Sequence, residues 1–392
     1  MMKQRVVVLG GGTFQLGLIT ELKTLGFEVH VVTNRCQDKG FTTADQGHDF
    51  AFTDVDRLIA LMQELGAVQV LTAGSELALT VLAEVQAALG LPGNSSAFVM
   101  QFQHKASYKT SLRQSCPECV PETFIYSGKD SKLLNSFISS FRQGVIVKPA
   151  VGRGSKSVAH CHTTAEIINH LRKHRLQEVI IEAYLEGPEY GGDFLVRDGQ
   201  LLVESCTLKG VNAWLVPTVH LMLEELQDNV RHRAFFEKII RHLRLPDGVY
   251  NADIIDCDGQ LKLIDLSPRI GGNCIPDLVK MSRGISEWQF MTDLLLNKNM
   301  TPFNTHKFVP HGVYMIGATG DGEIQSLVTD QHPFGESVID LFWRVSVTET
   351  VAAFTEGARH LGYVMYKAKT DAELLTLRER IEGFEWFTWF ES

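Results

Sequence analysis

The chain has 392 residues, of which 44% are hydrophobic and 21% are charged, and its formal net charge at pH 7 is −9. This length and apolar fraction exclude an intrinsically disordered protein and predict more than one packed core. The negative charge argues against a nucleic acid or an anionic membrane as the main partner and favours a small molecule. The sequence has no run of 18 apolar residues and no signal-peptide pattern, which predicts a cytoplasmic protein that does not cross a membrane.

The seven cysteines are odd in number and scattered along the chain, a pattern that predicts free thiols and not a disulfide framework. Cys116 and Cys119 have the CxxC spacing of some metal and redox sites. Neither a second CxxC nor paired histidines accompany them. We therefore expect neither use of this pair.

The first hundred residues alternate strand and helix patterns, which is typical of a parallel α/β sheet. Strands are predicted at 5–9, 28–32 and 68–73, and helices at about 15–25, 54–65 and 75–89. The glycine turn that begins at Gly10 resembles a dinucleotide-binding motif. However, Gln15 occupies the place of its third glycine, and no acidic residue ends the second strand. A nicotinamide-dependent oxidoreductase is therefore disfavoured.

A different pattern begins after Gly93. Buried strands at 144–149 and 178–182 are followed by hairpins with Asp-Gly tips at 198–199 and 258–259. Hairpins combined with helices predict an α+β unit, so the fold class is α/β and α+β. We place domain boundaries at 1–95, 96–305 and 306–392, the last being a further α/β portion that caps the site.

Two lysines are placed to bind an anion. Lys148 ends an apolar strand before a glycine loop, and Lys105 follows a short polar segment. The stem of such a lysine can be buried, but its ammonium group needs a partner. In the loop, Gly152, Gly154 and Ser155 would let backbone N–H groups approach phosphate oxygens, although the loop lacks the Walker A sequence.

Two acidic residues follow. Glu182 ends an apolar strand and Glu189 comes seven residues later. These carboxylates are suited to accept hydrogen bonds from an adenine amino group and from ribose hydroxyls. Solvated surface acids fit the same pattern.

The hairpin with its tip at 258–259 carries Asp253 and Asp265, and its register decides whether they meet. A two-residue turn pairs Cys257 with Gln260 and places the aspartates on opposite faces. A three-residue loop pairs Cys257 with Leu261 and sets the aspartates opposite each other. We expect the second register. Two carboxylates so close repel unless a divalent cation such as Mg²⁺ lies between them.

Taken in chain order, these features resemble the ATP-grasp superfamily, and in particular its carboxylate–amine ligases of the L-amino acid or peptide type. The resemblance covers most of the chain. The family usually ends this hairpin with Glu-x-Asn-Pro-Arg, whereas the chain has Asp265, Ser267 and Arg269 at the corresponding positions. A shorter carboxylate and a hydroxyl can still bind Mg²⁺.

The resemblance implies a pre-ATP-grasp domain over 1–95, an ATP-grasp nucleotide-binding and catalytic domain over 96–305, and a capping portion over 306–392. It implies that ATP is bound by Lys105, Lys148, Gly152, Gly154, Ser155, Glu182, Ala183, Tyr184, Leu185 and Glu189. It also implies that Mg²⁺ or Mn²⁺ is bound by Asp253, Asp265 and Ser267, and that Arg269 and Lys148 act in catalysis.

The implied reaction is ADP-forming: ATP phosphorylates a small carboxylate, and an amine attacks the acyl phosphate. Glu76 is a candidate partner for a substrate amino group because it follows the carboxyl end of a strand, although it also suits the N-terminus of a helix. Arg269 and the loop Gly271, Gly272 and Asn273 complete the predicted substrate residues. The segment 209–214 is a second candidate substrate loop.

Two alternatives remain open, a bicarbonate-dependent carboxylase of the same superfamily and a non-catalytic ATP-binding protein. A homodimer is favoured by general frequency alone.

Overall fold

The computed structural model of the protein describes residues 3–129, 131–329 and 331–391. Its strands are β1 Arg5–Leu9, β2 Glu28–Thr33, β3 Gln46–Asp49, β4 Gln69–Leu71, β5 Thr123–Tyr126, β6 Val145–Pro149, β7 Ala159–Cys161, β8 Val179–Ala183, β9 Glu189–Arg197, β10 Gln200–Val211, β11 Pro217–Met222, β12 Gly248–Cys257, β13 Gln260–Ser267, β14 His311–Ile316, β15 Gly322–Leu327, β16 Val338–Trp343, β17 Thr350–Val351, β18 Gly362–Lys367 and β19 Phe387–Glu391.

The helices of the same described residues are α1 Thr13–Thr24, α2 Lys39–Thr43, α3 Val55–Leu65, α4 Glu76–Leu89, α5 Ser96–Gln103, α6 Lys105–Ser115, α7 Ser131–Ser139, α8 Thr164–His174, α9 Val230–Leu243, α10 Ile275–Arg283, α11 Glu287–Leu295 and α12 Asp371–Glu382. Short 3₁₀ turns lie at Pro117–Cys119, Glu224–Leu226, Gly335–Ser337 and Gly357–Arg359. None of the helices in the described part of the chain has the length and apolar content that crossing a membrane requires.

The N-terminal sheet is parallel, as predicted, with the strand order β3-β2-β1-β4 among the described residues. Its central strand β1 is a run of valines and a leucine that are buried on both faces, which is typical of a sheet covered by helices on both sides. Strand β3 and helix α2 were not predicted, because their sequences are too short and polar to show a hydrophobic period.

Gln15 explains why the first glycine turn differs from a dinucleotide site. Its side chain accepts a hydrogen bond from the N–H of Gly12 (3.1 Å) and donates one to the carbonyl oxygen of Ala73 (2.5 Å). A Cβ atom added at Gly10 would meet the Gln15 side chain at 3.1 Å. The amide of Gln15 therefore occupies the turn itself and caps the first helix.

Three antiparallel sheets follow among the described residues. The small sheet has the order β5-β8-β6-β7, and the large sheet has the order β13-β12-β9-β10-β11-β14-β18-β16. A third, of three strands, has the order β17-β15-β19. Strands β14, β16 and β18 extend the same sheet as β9 to β13, so residues beyond 306 continue the central sheet. The domain boundaries remain a prediction.

The hydrophobic clusters show which parts of the chain pack together. Leu18 of the N-terminal unit packs in one hydrophobic cluster with Leu195 and Val249 of the large sheet and with Val313 beyond residue 306. The small sheet has a cluster of its own, formed with helices α7 and α8. The small sheet is therefore a separately packed unit beside a larger body.

The structure corrects the prediction for one pair of cysteines. Cys116 and Cys119 form a disulfide, whereas the sequence pattern predicted free thiols. The 3₁₀ turn at Pro117–Cys119 brings the two Cα atoms to 5.5 Å, within the range that a disulfide spans.

Candidate active site

A cleft lies between the small sheet and the edge of the large sheet. Its volume is about 950 Å³, a figure that includes the part open to solvent. The residues predicted to bind the nucleotide and two of the predicted metal ligands all line it: Lys105, Lys148, Gly152, Gly154, Ser155, Glu182, Ala183, Tyr184, Leu185, Glu189, Asp253 and Asp265. The described lining includes Lys209 of the candidate substrate segment 209–214, but it does not include Ser267, Glu76, Arg269 or the loop 271–273.

Glu182 lies at the floor of the cleft between two lysines. Oε1 of its carboxylate contacts Nζ of Lys109, and Oε2 contacts Nζ of Lys148. All three side chains are buried. Lys148 also donates a hydrogen bond to the carbonyl oxygen of Ile264 (3.0 Å), which links the small sheet to the large one.

Burial disfavours the charged form of all three side chains. Their contacts with one another determine in which direction each pKa is shifted. Burial lowers the pKa of Lys109 to about 7 despite the neighbouring Glu182. For Lys148, burial is outweighed by the carboxylates of Glu182 and Asp265, so its pKa is raised. Burial also opposes the charge of Glu182, but the two lysines hold its pKa below the usual value. The carboxylate is therefore ionised between a charged Lys148 and a Lys109 that burial leaves partly neutral near pH 7.

Sequence reasoning missed Lys109. It lies four residues after Lys105 on helix α6, so both lysines point to the same side of the helix. This spacing was the available signal, but it could not show that Lys109 reaches Glu182, which is 73 residues away.

Asp253 and Asp265 are directly opposite each other in strands β12 and β13, as predicted. The predicted reason was wrong. Cys257 pairs with Gln260, so the tip is a two-residue turn, and a β-bulge between the pairs Ile254–Leu263 and Asp253–Asp265 shifts the register by one residue. The extra residue brings the two carboxylates to one face, where both line the cleft.

Lysines neutralise both aspartates, so their repulsion is offset without a divalent cation. The metal site remains a prediction. Oδ1 of Asp253 lies 3.0 Å from Nζ of Lys209, which also approaches Glu189 at 3.3 Å. Asp265 contacts Nζ of Lys105 and accepts a hydrogen bond from the hydroxyl of Tyr108 (2.9 Å). Burial opposes ionisation of Asp265, but Lys105 and then Lys148 hold its pKa well below the usual value.

The sequence analysis placed Lys209 only in a candidate substrate loop. It is the one lysine of strand β10, and the carboxylates of Asp253 and Glu189 outweigh burial and raise its pKa to about 12. It remains charged at neutral pH. The structure thus places a third lysine in the cleft, beside the predicted metal ligands.

The donor set of the cleft fits a hard divalent cation. Asp253 and Asp265 offer carboxylate oxygens on one face, which is the ligand type that Mg²⁺ prefers. Ser267 lies two residues after Asp265, and its Oγ is buried with no hydrogen-bond partner among the described residues. This orphaned hydroxyl is compatible with a ligand role, although Ser267 lies outside the described lining.

The glycine loop between β6 and β7 covers the cleft. Gly154 and Ser155 have φ values of +59° and +56°, the left-handed region that glycine enters without strain. The hydroxyl of Ser155 donates a hydrogen bond to the carbonyl oxygen of Leu215 (2.8 Å). Leu215 also lines the cleft, so the loop is held close to the opposite wall.

The segment predicted to contact adenine follows strand β8. The N–H of Ala183 donates to the carbonyl oxygen of Glu122 (2.9 Å), and that of Tyr184 donates to Gly144 (3.2 Å). Among the described residues no partner accepts from the N–H of Leu185. A base bound here would therefore meet the N–H of Leu185 and the carbonyl oxygens of the segment.

The predicted substrate residues lie together at a second place, where the N-terminal sheet meets the loop after β13. Nε of Arg269 donates to Oε1 of Glu76 (2.7 Å), so these two residues bind each other. The N–H of Gly271 donates to the carboxylate of Asp193 (2.7 Å), a buried residue that sequence reasoning missed. The Cα of Gly272 lies near Gly74.

Asp193 is the anchor of this loop. It also accepts a hydrogen bond from Nδ2 of Asn251 (2.7 Å). Burial and the neighbouring carboxylate of Asp193 raise the pKa of Glu287 well above its usual value. A protonated Glu287 can donate to Asp193, which explains how two buried acids share this position.

Comparisons place this geometry among known proteins. No family model matches the chain. It is 23% identical over 249 residues to the uncharacterized protein y4rH of Sinorhizobium fredii, an alignment that covers 59% of this chain and 50% of that protein. The chain thus spans about half the length of the curated relative that it matches.

Solved structures match over nearly the full length. The L-amino acid ligase from Bacillus licheniformis has a TM-score of 0.82 at 17% identity, with 100% of both chains covered. The biotin carboxylase domain of 2-oxoglutarate carboxylase from Hydrogenobacter thermophilus, crystallised with MgADP, ADP and bicarbonate, has a TM-score of 0.75 at 15% identity and covers 99% of this chain and 91% of that chain. These similarities confirm the predicted fold class.

Proposed function

We propose that the chain is an ATP-grasp protein and acts as an ATP- and Mg²⁺-dependent, ADP-forming ligase that joins a small carboxylate to an amine, since its fold matches that of solved ligase and carboxylase structures. One observation carries the proposal. Three lysines and two opposed aspartates converge on a single cleft under a glycine loop: Lys105, Lys148, Lys209, Asp253 and Asp265. A cluster of alternating charges that lines a cleft suits a nucleoside triphosphate with its metal.

In this proposal, Lys105 and Lys148 bind the phosphates, and Asp253 and Asp265 hold Mg²⁺ or Mn²⁺. The metal would supply charge neutralisation on the transferring phosphoryl group. Both lysines already carry carboxylate partners, so phosphate oxygens would take the place of Asp265 and Glu182. Glu189, at the cleft wall, would accept from ribose hydroxyls.

The reaction proceeds in two steps. A carboxylate oxygen of the first substrate attacks the γ-phosphorus, the bond to the β-phosphate oxygen breaks, and ADP leaves. The amine nitrogen then attacks the acyl carbon and gives up a proton, and the bond to phosphate breaks. The glycine loop excludes water, which would otherwise hydrolyse the acyl phosphate.

Arg269 and Glu76 would position the substrates. Arg269 carries a fork of donors that suits a carboxylate or phosphoryl group, and Glu76 suits an amino group. Their contact of 2.7 Å keeps both side chains ordered near the loop 271–273. An amino acid carries both groups. Its carboxylate would bind Arg269 and its amino group would bind Glu76, so the substrate would replace the contact between these two side chains.

The decisive experiment incubates the protein with ATP, Mg²⁺ and a panel of amino acids, and measures the nucleotide and the condensation products by mass spectrometry. We expect ADP, phosphate and an amide product. AMP with pyrophosphate would refute acyl-phosphate chemistry. Bicarbonate-dependent turnover without an amino acid would indicate a carboxylase, and tight ATP binding with no turnover would indicate a nucleotide-binding protein. The cytoplasmic location and a homodimer remain predictions.

A further inference from the structure

The glycine loop makes its contacts with two distant segments of the chain. The hydroxyl of Ser155 donates to Leu215 (2.8 Å), and the N–H of Gly357 donates to the carbonyl oxygen of Gly154 (2.8 Å). Nζ of Lys156 lies 3.7 Å from Oε2 of Glu356. Three successive loop residues are thus each bound from outside the small sheet.

The two distant segments are also bound to each other. Nδ2 of Asn212 donates to the carbonyl oxygen of Phe354 (2.8 Å), while Oδ1 of the same side chain accepts from the N–H groups of Trp214 (3.0 Å) and Val216 (3.1 Å). Asn212 therefore shapes the turn that presents Leu215 and fixes that turn to the segment before Gly357.

We infer that segment 354–357, together with Asn212, forms a clasp that holds the glycine loop against the body of the protein and so positions it over the phosphates. The inference rests on the proposed function for its ligand. It adds a role for residues beyond 306: they complete the nucleotide site and do not merely lie beside it. Gly357 and Asn212 are positioning residues, since their described contacts are with the loop and its support.

Packing makes these contacts decisive. The small sheet has its own hydrophobic cluster, and it is joined to the body by the apolar contact of Ala150 and Ile180 with Ala106 and by polar contacts such as that of Lys148 with Ile264. These contacts fix the sheet itself, whereas the contacts of 354–357 act on the glycine loop.

The loop itself includes residues with positive φ at Gly154, Ser155 and Ser157. Helix α8 holds its end at Ser157 through His170 and His174, but residues 154–156 have no such contact with the small sheet's helices among the described hydrogen bonds. The clasp supplies that support from outside.

Gly357 allows a test with a matched control. Gly357→Pro removes the N–H that donates to Gly154 and puts a ring carbon in its place. The backbone tolerates proline, because Glu356 is extended (φ −153°, ψ 151°) and Gly357 opens a 3₁₀ turn. Gly357→Ala keeps the N–H, and its Cβ would meet Gly154 at 3.5 Å, an ordinary contact.

Asn212 allows a second test. Asn212→Asp keeps the oxygen that accepts from Trp214 and Val216 but loses the donor to Phe354. Asn229→Asp is its control, because Asn229 also accepts from two backbone N–H groups, caps helix α9 and does not line the cleft.

The experiment measures hydrogen exchange of the amides at 152–158 in the protein without nucleotide, and the affinities of MgADP and adenosine by calorimetry. For Gly357→Pro and Asn212→Asp we expect faster exchange and a rise in the Kd of MgADP of roughly 2- to 12-fold, the effect of one hydrogen bond, with adenosine affinity unchanged. The two controls should match the wild type. A general loss of structure would weaken adenosine as well.

The outcomes separate the two ideas. Exchange at 152–158 that is unchanged in both test variants overturns the clasp, even if all proteins bind MgADP. Wild-type protein that does not bind MgADP overturns the proposed function, and hydrogen exchange then decides the clasp alone.

Discussion

Lys109 is expected to allow Lys148 to bind phosphate. Glu182 is 2% exposed and contacts both lysines, one through each carboxylate oxygen. When Lys148 turns to a phosphate, Lys109 still neutralises Glu182, and Oε2 of Glu182 becomes free to accept from an adenine amino group. Lys109→Met should therefore weaken nucleotide binding although Lys109 does not line the cleft.

The magnitude follows from burial. Leaving a buried carboxylate without its partner costs about 3–5 kcal/mol. In Lys109→Met this cost arises only when Lys148 leaves Glu182 to bind phosphate. If Lys148 contacts the carboxylate and the phosphate at the same time, the cost is smaller. We expect a loss near the lower end, about 3 kcal/mol, or roughly 100-fold in the Kd of MgADP. The free protein should stay folded, because Lys148 still neutralises Glu182 when no phosphate is bound.

The assay is calorimetric titration with MgADP, supported by thermal unfolding. Lys238→Met is the matched control, because Lys238 pairs with Glu118 at 3.4 Å on the exposed surface and should have no effect on binding. Combining Lys109→Met with Glu182→Gln removes the buried charge and should restore part of the affinity. If folded Lys109→Met binds MgADP as the wild type does, the idea that Lys109 neutralises Glu182 while Lys148 binds phosphate is refuted.

Three further predictions concern the metal, the substrates and pH. Asp253→Asn should weaken Mg²⁺ binding in the ADP complex by about 100-fold, measured by Mn²⁺ titration, whereas Asp256→Asn on the same strand should not. Glu76→Gln leaves Arg269 without its ionic partner and should raise substrate KM by roughly 10-fold with the Kd of MgADP unchanged; an altered Kd would contradict the separate substrate role. Burial and then Arg344 lower the pKa of His360 to about 4, so the folded state resists protonation that the unfolded chain accepts at 6.5. The free energy of unfolding is retained above pH 6.5 and falls by up to about 3 kcal/mol as the pH falls from 6.5 to 4. His360→Asn keeps a donor for the carbonyl oxygen of Gly357 and should make this fall smaller, as measured by denaturant unfolding at each pH.

The order of elements was predictable because hydrophobic period and turn residues are local signals. The alternation before residue 93 predicted the parallel sheet, and the strand that ends in Lys148 appears as β6. The partners of each charge were not predictable. Lys109 meets Glu182 across 73 residues, and Gly357 meets Gly154 across two units of the fold. Such contacts depend on how distant segments pack together, and the spacing of residues within a short stretch of sequence does not indicate this.

The hairpin of Asp253 and Asp265 has a turn that local sequence predicts and a bulge that it does not. The Asp-Gly tip is a two-residue turn with φ of +51° at Asp258 and +82° at Gly259, as local turn chemistry favours. An uninterrupted ladder from that turn would have separated the aspartates. The bulge at Ile264 has no sequence signature, because isoleucine is an ordinary strand residue.

This bulge does two things at once. It adds the one residue that returns Asp265 to the face of Asp253, and it removes Ile264 from the ladder, so that its carbonyl oxygen is free to accept from Nζ of Lys148 at 3.0 Å. The same irregularity therefore pairs the proposed metal ligands and holds the proposed phosphate lysine beside them. Deleting Ile264 would restore a regular ladder and undo both, since a one-residue slip moves every later side chain of the strand to the other face.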